Sequence, residues 1–83
     1  MCTYVTSHVE VSGSGSNGDD WFALDRAVVY FDHPQDAPLE HALCIDVWGK
    51  DERVAVELDA ASALRLAQSI LAVLSDDEVK HLL

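Results

Sequence analysis

RVAVELDAASALRLAQSILAVL, residues 53–74, contains the change of period that decides the fold. Arg53-Val54-Ala55-Val56-Glu57-Leu58 alternates, with Val54, Val56 and Leu58 on one side, as a strand with one buried face does. From Asp59 the spacing turns to 3.6. Ala63, Leu66, Ala67, Ile70 and Leu74 form one stripe, widened by Leu64 and Leu71, while Arg65, Gln68 and Ser69 mark the wet side. This predicts a helix over 60–74 with Asp59 as its N-cap. Ser75 and Glu78 then fit the S-x-x-E capping box, with Leu74 and Val79 as its staple, and predict a short final helix over 76–83.

Upstream the period is 2. Residues 3–11, TYVTSHVEV, set Val5, Val9 and Val11 against Tyr4, Thr6, His8 and Glu10. SGSGSNGDD, residues 12–20, is built of turn formers and predicts a mobile hairpin connection. Residues 21–33 form a second strand, apolar on both faces from Ala27 to Phe31 and closed by Pro34 and Pro38. Residues 41–48 resume strand character, with His41, Leu43, Ile45 and Val47 on one face, and a tight turn at 49–52 leads to the fourth strand. The expected architecture is α+β: a four-stranded antiparallel sheet packed by one long C-terminal helix plus a short terminal helix, in a single domain over 1–83. Two layers leave one sheet face open, and that face is expected to carry Tyr4, His8, Tyr30 and Trp48 for a second copy of the chain or a ligand.

Composition narrows the function. A chain of 83 residues buries only about 60–65% of its unfolded surface, so a dimer interface, metal or crosslink is expected to add stability. Fifteen carboxylates against five Lys and Arg give a net charge of −10. That field repels phosphate backbones and anionic lipid heads, so neither nucleic acid nor membrane is an expected partner. The first residues lack the basic end and apolar centre of a signal peptide, and a cytoplasmic location is expected. Asp25-Arg26 and Arg53-Glu57 are expected to be surface ion pairs.

Gly13-Ser14-Gly15-Ser16-Asn17-Gly18 matches G-x-G-x-x-G, but an aromatic strand follows where a dinucleotide fingerprint needs a helix. The reactive side chains gather instead in residues 29–43, which hold Asp32, His33, Asp36, Glu40 and His41. His33 ends one strand and His41 begins the next, so pairing of those strands brings both to one end of the sheet. His8 approaches from a third strand. Three imidazoles with a carboxylate suit zinc or iron, and neutral imidazole is a natural general base. The spacing H-x7-H is no recognised ligand motif. Cys2 becomes the mature N-terminus if Met1 is removed, which makes it a further candidate ligand or a nucleophile. Cys44, on an apolar strand, reads as a small hydrophobe.

MCTY, HVEVSGSG, WFALDRAVVYFDHP, APLEHALCID and RVAVEL together resemble a family of short actinobacterial proteins of unknown function, over roughly residues 1–72. The resemblance implies no activity or cofactor. It marks Cys2, His8, Asp32, His33, Glu40 and His41 as candidates, whereas Cys44 and the 47–53 hairpin depart from the family pattern. Two readings follow. In the first, a metal-dependent enzyme holds a divalent ion with His8, His33, His41 and Cys2, and Asp32 and Glu40 carry the chemistry. In the second, a non-catalytic homodimer binds a small molecule or regulates through the aromatic sheet face.

Overall fold

The computed structural model describes residues 3–32 and 41–83. The strands β1 (Thr3–Ser16), β2 (Trp21–Asp32), β3 (Ala42–Trp48) and β4 (Arg53–Leu58) precede the helices α1 (Ala60–Leu74) and α2 (Asp77–Lys80). All neighbouring strands are antiparallel, and the sheet order follows the chain, β1-β2-β3-β4. The α+β fold is the one that the two periods in the sequence imply.

Side chains directly opposite across an antiparallel pair share a face, so the registers sort the sheet into two. Val5 pairs with Phe31, Phe31 with Leu43 and Leu43 with Leu58. Val29, Ile45 and Val56 lie in the next row of the same face. The opposite face carries the rows Thr6, Tyr30, Cys44, Glu57 and His8, Val28, Asp46, Ala55, then Glu10, Arg26, Trp48, Arg53. We call the first face apolar and the second polar.

The first hairpin differs from the sequence expectation. Residues 12–16 extend β1 rather than joining the loop, since Gly13 to Ser16 pair with Leu24 to Trp21. Only 17–20 turn. There the Asn17 side chain accepts from the backbone N–H of Asp19 and Asp20, and Gly18 adopts φ 103°, a conformation that favours glycine.

Asp59 caps α1 as expected, accepting from the Ser62 N–H at 2.7 Å, and this bond holds its carboxyl below the usual range. The second cap moves by one residue. Asp76, not Ser75, caps α2 by accepting from the Glu78 N–H, while the Ser75 hydroxyl donates back to the Leu71 carbonyl and closes α1. The carboxylate offers a charge-assisted bond, and Ser75 still has a helical carbonyl within reach.

α1 lies across the apolar face. Ala63, Leu64, Leu66, Ala67 and Ile70 stand opposite Val29, Leu43, Ile45 and Leu58. The layer is not closed, however: no residue of α1 is buried. The buried positions among the described residues with side chains lie at the other face or its edge, at Asp32, Ala42, Cys44 and Asp46.

Candidate functional site

Register decides the fate of the histidine cluster. His8 pairs with Val28 and so lies on the polar face, where it is exposed. His41 precedes Ala42, falls in phase with Leu43, and stacks on Phe31 of the apolar face with ring centroids 6.1 Å apart. His8 and His41 are therefore on opposite sides of the sheet and cannot share an ion. Asp32, 2% exposed, closes β2 opposite Ala42. Cys2, His33, Asp36 and Glu40, together with the side chain of Tyr4, lie outside the described residues. Among the described residues no group of three His, Cys, Asp or Glu side chains is placed to hold a metal ion. The metal-enzyme expectation is corrected accordingly.

The polar face holds a network that the sequence reading missed. The Tyr30 hydroxyl donates to Asp46 Oδ2 at 3.0 Å, and Arg53 Nη2 donates to Asp46 Oδ1 at 3.1 Å. Asp46 is 8% exposed, so its charge needs these two partners. Burial and the facing Asp46 carboxylate push the Tyr30 phenol up to about 12. The Cys44 thiol beside it points at the Ala42 carbonyl and Glu57. Burial first, then the Glu57, Asp32 and Asp46 charges, raise its pKa, which leaves it a poor nucleophile.

Trp48 completes the row, with the guanidinium groups of Arg26 and Arg53 at 5.1 and 5.4 Å from its ring centroid. The two expected ion pairs are replaced. Arg53 takes Asp46 in place of Glu57, and Arg26 covers Trp48, because Asp25 points to the other side of the strand. The signal was available: a four-residue turn fixes Trp48 opposite Arg53, and Asp46 is then its diagonal neighbour. Tyr30 and Trp48 are half-buried and engaged by their own chain. The expected aromatic docking face therefore has no support.

The other feature is apolar. An open crevice of about 370 Å³ separates α1 from the sheet. Leu64, Leu66, Ile70, Leu71 and Val73 all remain exposed along α1, joined by Val5, Val9 and Val56 on the sheet. The chain exposes 6323 Å², whereas a folded monomer of 9.1 kDa exposes about 4900 Å². Its radius of gyration of 14.3 Å likewise exceeds the roughly 12 Å usual for 83 residues.

These features define a small ββββα domain with a charged, internally bonded face and an open apolar one. The chain belongs to the family of unknown function DUF6295, whose model matches residues 1–82. No curated protein and no solved structure matches it. Among the described residues no helix is long and apolar enough to cross a membrane.

Proposed function

We propose that the protein works as a self-associating module, a homodimer closed through the apolar surface that α1 and the sheet leave open. The observation that carries this is the helix itself: fifteen residues with an apolar stripe, none of them buried. A stripe this wide is stable in water only when covered. The excess of surface is roughly 1400 Å² per chain, against about 800 Å² per partner in a standard interface.

The gain and the cost of association are of the same order. Two copies bring together ten exposed apolar side chains from α1, each contributing about 1 kcal/mol on further burial. That total lies within the range of about 4–15 kcal/mol that association costs. A small ligand is a poorer occupant, because the crevice is lined only by apolar side chains and nothing there would orient it.

Sedimentation and light scattering of the native chain test the reading, beside the double variant Leu71→Glu/Val73→Glu. Both positions are more than three-fifths exposed, so the fold tolerates the change. A native dimer and a folded, monomeric variant are expected. A native chain that stays monomeric at micromolar concentration overturns the proposal, as does a double variant that dimerises unchanged.

A further inference from the structure

The two edges of the sheet are not alike. β1 is guarded: its pairing with β2 is broken by irregularities between Thr3 and Val5 and between Glu10 and Gly13. Bulges of this kind bend an edge away from foreign strands. β4 has no such device. It pairs with β3 without interruption from Leu58 to Arg53, and its segment RVAVEL contains no proline, glycine or lysine. Among the described residues no strand pairs with its outer side, and Arg53, Ala55, Val56 and Glu57 are all exposed.

We propose that β4 is the strand through which two copies of this chain join, antiparallel about Ala55, to form one continuous eight-stranded sheet. The inference rests on the self-association reading and specifies its geometry. A two-fold axis perpendicular to the sheet lets each residue face only one of its own parity, since opposite residues share a face. With Ala55 on the axis, Arg53 faces the partner's Glu57 and Val54 faces the partner's Val56, each contact made twice.

Charge selects this register from its neighbours. A shift of two residues sets Glu57 against the partner's Ala55 in one direction and against the partner's Asp51 in the other. Only the Ala55 register gives both charged residues of the strand an opposite charge. Arg53 keeps Asp46 on its other side, so the guanidinium would join carboxylates of both chains. The same axis places both copies of α1 on the apolar face, each against its own β3, on either side of the joined β4 strands. One arrangement thus satisfies the open strand edge and turns one flank of each helix toward the other.

A crosslinking experiment tests it. Ala55→Cys is made in a Cys2→Ser background, so that the only other thiol is the buried Cys44. Mild oxidation is expected to convert most of the chain to a covalent dimer, while Glu52→Cys in the same background stays monomeric on a denaturing gel. Glu57→Lys, which sets like charges against each other twice, is expected to weaken the dimer about tenfold. A native dimer that Leu71→Glu/Val73→Glu splits, yet that neither crosslinks through position 55 nor responds to Glu57→Lys, overturns the β4 pairing and leaves the apolar-surface reading standing. A native chain that is monomeric overturns both.

Discussion

Tyr30 on β2 and Asp46 on β3 meet on the diagonal of their strand pair, with the phenol donating to Oδ2 at 3.0 Å. Removing that hydroxyl leaves Asp46 with Arg53 alone. Tyr30→Phe is expected to lower stability by about 1 kcal/mol in urea unfolding at neutral pH. The pH dependence has a definite sign. The phenol is raised from 10.0 to about 12 on folding, so its contribution is complete below pH 10 and is lost as pH rises toward 12. The stability gap between native and Tyr30→Phe protein should therefore shrink across that window. A gap that widens there would contradict the assignment.

Cys44 should be chemically quiet. It is buried, and three carboxylates oppose its ionisation. Alkylation by iodoacetamide at pH 8, followed by mass mapping, is expected to modify Cys44 at least about tenfold more slowly in folded than in unfolded protein. Equal rates would show that the polar face opens readily.

Gly49 has a steric role. It is buried in the β3–β4 turn, where its N–H donates to the Glu52 carbonyl at 2.9 Å. A Cβ at this position would run into the Ala23 carbonyl oxygen of β2. Backbone cannot rotate aside as a side chain can, so Gly49→Ala should cost about 1–3 kcal/mol. Thermal melting would reveal it.

Salt gives a further handle on association. Each chain carries a net charge of −10, so two copies repel at long range. The apolar surface is indifferent to screening at these concentrations. Raising ionic strength from about 20 to about 200 mM should therefore tighten the dimer. Loosening would mean that ion pairs dominate the interface.

Much of the fold was legible because the two periods are clean. The alternation in 53–58 and the stripe in 60–74 place β4 and α1 within their observed bounds. The first hairpin was misread because serine and glycine signal turns wherever they stand. In β1 they pair with the aromatic and apolar strand at 21–24 and take their conformation from it. The histidines show a different limit. Clustering along the chain says nothing of side, and one residue of phase separates His8 on the polar face from His41 on the apolar one. The Tyr30, Asp46 and Arg53 network could be found only by counting back from the Gly49–Glu52 turn. Nor does an apolar stripe state how much of itself the parent chain will cover.

The unequal lengths of the strands have a practical consequence. β3 pairs with β2 only from Arg26 to Asp32, so the paired segments 13–16 and 21–24 continue as a two-stranded arm whose base rests against the β3–β4 turn, where Gly49 meets Ala23. Two strands without a third are marginal in water. That arm is the natural port for engineering: a reporter peptide spliced between Asn17 and Gly18 would leave the seven-residue β2–β3 ladder and the β4 edge untouched. It would also serve as a handle for surface attachment, since the 17–20 turn belongs to neither β4 nor α1.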